Sequence, residues 1–190
     1  MAFFHYEKNV KDIEYYEILE NLMERWEYET VEFKEAKSNY DTDKIGRYFS
    51  ALSNEANLKQ QQYGWLIFGV SERDKIKHVV GTAYKQGEQS LLEKFKYEIS
   101  RDITNGMTFY EIKEIFPIVN GKRLRVLMFK VPAAATGIPT DWRTNYYERS
   151  GESLVPLKQY KIDAIRSQER KDWSKQVIEV ATIDNLDKTA

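Results

Sequence analysis

The run YGWLIFGV at residues 63–70 constrains this chain most. It is almost free of polar side chains, yet far shorter than the ~20 apolar residues needed to cross a bilayer. A short, near-continuous apolar run of this kind suits a strand buried on both faces, at the centre of a sheet covered from two sides. The flanking sequence offers the cover. Residues 12–26 place Ile13, Tyr16, Leu19, Leu22, Met23 and Trp26 at three- and four-residue spacing, the pattern of an amphipathic helix. Residues 30–36 (TVEFKEA) change to period two, with Val31 and Phe33 on one side and Thr30, Glu32 and Lys34 on the other, as in a strand. Asp41 or Thr42 then caps a second helix reaching about Asn57, whose stripe Ile45, Phe49, Leu52 and Ala56 faces a core.

Beyond the central run, residues 77–82 read as a short partner strand. A third helix at about 89–104 carries the stripe Leu92, Phe95, Ile99 and Ile103, and ends near Asn105-Gly106. Residues 108–119 and 122–131 read as strands joined at Asn120-Gly121, a strong two-residue hairpin signal, with Pro117 placed at a strand end or edge. Residues 146–149 suit one more strand turning at Ser150-Gly151, and 158–167 a last helix. Helices and strands mix without regular βαβ alternation, so the expected class is α+β, a mixed sheet flanked by helices. Residues 1–168 are expected to form one domain, with 169–190 a tail leading to further parts of a longer protein.

The chain has 190 residues and no cysteine, which excludes disulfides, thiolate metal sites and thiol nucleophiles. Two histidines leave no room for a multi-histidine metal site. The first ten residues lack the basic-then-apolar order of a secretion signal, so a cytoplasmic protein without a membrane partner is expected. Net charge is -1, but residues 1–43 hold 5 basic and 12 acidic side chains while residues 121–171 hold 11 and 5. Such asymmetry allows a basic surface on a neutral chain.

Three groups of residues could carry chemistry. Glu27, Glu29, Glu32 and Lys34 stand together at a helix-to-strand junction, with Glu72 and Asp74 after the central strand. Neighbouring carboxylates suit a hard divalent cation, and a lysine beside them can stabilise phosphate charge; a solvated strand face is the competing reading. Arg47, Ser50 and Asn54 share the helix face opposite the core stripe, where with Lys44 they could meet phosphates or base edges. The C-terminal half interleaves Lys122, Arg123, Arg125, Lys130, Arg143, Arg149, Lys158, Lys161 and Arg166 with Trp142, Tyr146, Tyr147 and Tyr160. Cations and aromatics together suit a nucleic-acid surface. A phosphate-binding G-x-x-x-x-G-K-[ST] loop, GxGxxG, GxSxG and HExxH are all absent.

Five segments in order resemble the Schlafen AlbA-like domain: Glu32-Phe-Lys34-Glu35, Ile45-Gly-Arg-Tyr-Phe-Ser-Ala51-Leu-Ser-Asn54, Trp65-Leu-Ile-Phe-Gly69-Val, Val80-Gly81, and Tyr146-Tyr-Glu-Arg149-Ser-Gly151-Glu-Ser153. The resemblance spans about 26–165. It implies an α+β domain of bacterial transcriptional regulators, once labelled divergent AAA proteins, that binds DNA or RNA. Arg47, Asn54, Arg123, Arg125, Arg149 and Lys161 are then the expected phosphate contacts, drawn into one concave track. Some animal Schlafens are metal-dependent endoribonucleases using three acids. The resemblance places those acids at Glu27, Glu32 and Glu72, with Lys34 beside the second, and Mg²⁺ or Mn²⁺ as their metal. A third implied role is an interaction module, dimeric or attached to an ATPase-like region. Two departures stand out: the glycine turn Asn-Thr-x-Gly-Gly of many members is replaced by Asn54-Glu55-Ala56-Asn57, and Glu72 stands where an aspartate is usual.

Overall fold

The structure, a computed structural model, describes residues 13–24, 29–74, 76–87, 89–151 and 153–168. Trp26, Glu27 and the tail after Gln168 lie outside the described residues. Among the described residues, four α-helices and eleven strands follow in the order α1 (Ile13–Glu24), β1 (Val31–Lys34), α2 (Thr42–Leu58), β2 (Tyr63–Phe68), β3 (Val70–Arg73), β4 (Ile76–Val79) and α3 (Gln89–Arg101). There follow β5 (Glu111–Ile115), β6 (Ile118–Val119), β7 (Lys122–Arg123), β8 (Val126–Pro132), β9 (Asp141–Trp142), β10 (Asn145–Ser150), β11 (Ser153–Pro156) and α4 (Gln159–Arg166).

The main sheet has the order β1-β2-β8-β5, with β1 parallel to β2 and the other pairs antiparallel. The expected α+β class with a mixed sheet is therefore the one observed. The apolar run is its inner strand β2, and the alternation of side chains divides it between two cores. Leu66 and Phe68 join Ile45, Phe49 and Leu52 of α2, Phe95 and Ile99 of α3, and Phe129 of β8. Trp65 and Ile67 face the other way, onto Tyr16 and Leu19 of α1 and Met128 of β8.

The run does not continue straight through residue 70. Gly69 takes φ +94°, and a Cβ there would stand 2.8 Å from the Arg125 carbonyl oxygen. Only glycine permits that turn against the neighbouring backbone, and it redirects the chain into the separate hairpin β3–β4. The long strands expected at 108–119 and 122–131 are likewise broken. Their Asn120-Gly121 turn is present, both residues at positive φ, but it closes only the short ribbon β6–β7. The paired part of the flanking sequence is β5 with β8. No described helix is long and apolar enough to cross a membrane.

Candidate nucleic-acid interface

Helix α2 starts where expected, with Asp41 as its cap: the carboxylate accepts from the Asp43 amide at 2.9 Å. Its second face, however, is not a ligand surface. The β9–β10 segment packs onto Gly46, Ser50, Ser53 and Asn54, all buried. Ser50 Oγ donates to the Thr140 carbonyl at 2.7 Å and accepts from the Tyr147 amide at 3.1 Å. Asn54 Oδ1 accepts from the Thr140 amide at 2.8 Å, while its Nδ2 donates to the Thr140 carbonyl at 2.9 Å. Asn54 is 0% exposed, so its amide is spent on joining a helix to a hairpin and presents nothing to phosphate. Arg47, on the next exposed turn, pairs with Asp43 at 2.6 Å and lies 5.5 Å over the Tyr147 ring.

The acid-and-lysine group of β1 is also internal. Glu32 is 4% exposed. One of its oxygens bonds Lys34 Nζ and the other lies 2.6 Å from Arg149 Nε. Arg149 further donates through Nη1 to the Val31 carbonyl and through Nη2 to Gly151 O at 3.3 Å, so it ties β10 to the edge of β1. Burial works against charge on Lys34, but Glu32, with Tyr48 nearby, outweighs it and raises the ammonium pKa above its ordinary value. The same desolvation, with Tyr48 and Glu32 adding, pushes the Tyr40 phenol up.

Two further cations expected at a phosphate surface are held the same way. Arg125 is 6% exposed; Nε donates to Glu114 at 2.9 Å, and Nη1 donates to the Tyr84 carbonyl at 2.8 Å and the Thr82 carbonyl at 3.3 Å. Lys161 of α4 bonds Glu55 of α2 and stands 3.0 Å from Glu148 of β10. Burial raises the Glu55 carboxyl above the usual range, although Lys161 pulls it down. Asn54 and Arg125 are thus corrections to the sequence-based expectation: both lie in the interior. Arg149 and Lys161 are mostly covered and ion-paired, and the expected concave track of these six residues is not what folding builds.

The metal implied by the resemblance finds a poor donor set among the described residues. Glu32 already carries two cations. Glu72 is exposed on β3, opposite Lys77 of β4. No three acidic or histidine side chains among the described residues could hold an ion together. Glu27, the first acid of the expected trio, lies outside the described residues.

Free cations stand elsewhere. Arg73 of β3, with Lys122 and Arg123 of β7, is exposed and makes no ion pair among the described residues; Arg123 lies 4.6 Å over the Phe116 ring. Arg123 was in the sequence-based set. Arg73 was missed because residues 71–74 were read only as the segment after the central strand, for their acids Glu72 and Asp74; the signal that could have found it was Gly69, which ends that strand and starts a separate hairpin.

A family model described as Schlafen, AlbA_2 matches residues 27–158. Among solved structures, the DIP2311 protein from Corynebacterium diphtheriae aligns over 75% of this chain with 20% identity and a TM-score of 0.49. This chain spans 24% of that protein's length. No curated protein matches the sequence significantly.

Proposed function

Because the chain belongs to the Schlafen AlbA_2 family, which is associated with nucleic acids, we propose that it is a nucleic-acid-binding module of a transcriptional regulator. It grips phosphates with the cations that its own fold leaves unpaired. The observation that supports this best is the division of labour among basic residues. Arg125, Arg149 and Lys161 are consumed by internal acids, whereas Arg73, Lys122 and Arg123 stand in solvent with no acid partner among the described residues. A cation already desolvated against a carboxylate gains little from a phosphate, while a solvated one releases the phosphate's counterions.

The endoribonuclease reading has less support, since Glu32 is committed to Lys34 and Arg149. The test is to incubate the protein with labelled DNA and RNA at low salt, with EDTA or with Mn²⁺. Retarded nucleic acid recovered uncut in both is the expected result. Absence of binding to any probe refutes the reading, and Mn²⁺-dependent cleavage lost in Glu32→Gln replaces it with the enzyme.

A further inference from the structure

Hairpins β3–β4 and β6–β7 leave the same end of the main sheet. Phe68, the last residue of β2, pairs with Leu127 near the start of β8, and Ile115, the last of β5, pairs with Val126. Their roots are joined. The amides of Val80 and Gly81 donate to the Gly69 carbonyl at 2.9 and 3.0 Å, and the Thr82 amide donates to the Arg125 carbonyl at 2.9 Å. Val70 and Val79 from one hairpin belong to a buried cluster against which Val119 of the other and Leu124, just after it, pack half-buried. The buried Arg125 guanidinium, bonded to Glu114 and to two carbonyls of the 82–84 segment, fixes this junction.

The cross-strand register sorts the faces of β3–β4. Glu72↔Lys77 lies on the same face as Val70↔Val79, turned toward the domain, where Lys77 sits 5.4 Å over Phe33. The other face presents Ser71↔His78 and Arg73↔Ile76, and Ile76 is 59% exposed. One acid, Asp74, occupies the tip. The β6–β7 ribbon offers Lys122 and Arg123 with no acid of its own.

We propose that these two ribbons form a two-pronged grip on duplex DNA. β3–β4 enters the major groove with its Arg73, Ile76 and His78 face, and Lys122 and Arg123 of β6–β7 hold the adjoining backbone. A two-stranded ribbon fits the B-form major groove, about 12 Å wide, whereas the deep, narrow major groove of A-form RNA excludes it. An arginine beside an exposed aliphatic side chain also matches what that groove displays, guanine acceptors and thymine methyls. This inference rests on the nucleic-acid reading above and narrows it to a surface and a substrate.

The test is fluorescence anisotropy of the full chain across a salt series, using a short duplex DNA and a duplex RNA of the same sequence. Duplex DNA binds tighter, and Lys122→Ala/Arg123→Ala flattens the plot of log affinity against log salt by about 2, at about 0.9 per lost phosphate contact. Arg166→Ala, on α4 beside the far end of α2, leaves the slope unchanged. Melting temperatures of all variants stay within about 4 °C of the wild type, because none of these side chains is buried or ion-paired among the described residues and each loses at most an exposed ring contact, Arg123 with Phe116 and Arg166 with Tyr146. Unchanged slopes in the double variant, or an equal loss in Arg166→Ala, overturn the ribbon assignment while leaving nucleic-acid binding intact. Equal or tighter binding of duplex RNA overturns the choice of DNA. Failure of every probe to bind refutes the underlying reading itself.

Discussion

Replacing Gly46 with alanine should destabilise this protein, although the same change in an exposed helix interior gains about 1 kcal/mol. Gly46 lies within α2, against Trp142, which is 1% exposed. A Cβ at Gly46 would stand 2.2 to 2.4 Å from three atoms of the indole ring. Ordinary carbon–carbon contact is about 3.5–4.0 Å, so the ring must retreat by more than ~1 Å. It is not free to do so, because its Nε1 donates to Asp43 at 2.8 Å. Overpacking costs about 1–3 kcal/mol, and losing a hydrogen bond to a carboxylate about 1.5–3 kcal/mol. Set against the helix gain, the net loss is about 1.5–5 kcal/mol, or roughly 3–20 °C in melting temperature for a domain of this size. Thermal unfolding followed by circular dichroism reads it directly. In a Trp142→Leu background the alanine should cost little, so the double-mutant cycle isolates the clash. A Gly46→Ala protein that melts at or above the wild type refutes the packing argument.

Other outcomes follow from the buried ion pairs. Lys161→Met strands Glu55 in the interior, leaves Glu148 only Lys158 at 3.8 Å, and should cost about 3–5 kcal/mol at neutral pH. Burial already holds Glu55 above its ordinary pKa, so the deficit should shrink as pH falls and the stranded Glu55 carboxyl takes up a proton; a deficit constant between pH 7 and 5 contradicts this. Glu32→Gln loosens both Lys34 and Arg149 and should lower the melting temperature in EDTA as in Mg²⁺; an unchanged melting temperature would return Glu32 to the ligand role. Asp43 is held below the usual carboxylate range, chiefly by the Trp142 hydrogen bond, with Arg47 and Arg143 adding and burial opposing. A depressed folded pKa contributes stability above the unfolded value, lost as pH falls through the folded one. Wild-type stability should therefore drop below about pH 4 by a component missing from Asp43→Asn, measured by urea denaturation at stepped pH.

The elements with strong periodicity were legible in the sequence. α2 was expected at 42–57 and spans Thr42–Leu58; its core stripe, its Asp41 cap and the inner strand β2 were likewise readable. What one sequence could not show was which polar faces would be covered. Ser50 and Asn54 look like a hydrophilic helix face, and become interior only because β9 and β10 bring Thr140 and Tyr147 from about 90 residues away. Neither strand could be foreseen to dock there: β9 has two residues and, among the described residues, pairs with β10 alone. The same long-range pairing turned Arg149 and Lys161 from surface cations into ties between elements. Short-range patterns fix local structure, whereas the pairing of buried charges depends on tertiary contacts that leave no periodic trace. The opposite error occurred at Gly69: a partner strand was expected at 77–82, but the chain breaks at Gly69 and β4 pairs with the separate strand β3 rather than with the apolar run.

The central claim is that this domain binds nucleic acid through unpaired surface cations and needs no metal to do so. The slope of log affinity against log salt for wild-type protein and duplex DNA, measured in EDTA, tests it most directly. The account predicts a linear fall with a slope of about -0.9 for each phosphate engaged, several in all. A flat line, or binding that appears only when Mg²⁺ or Mn²⁺ is restored, would contradict it.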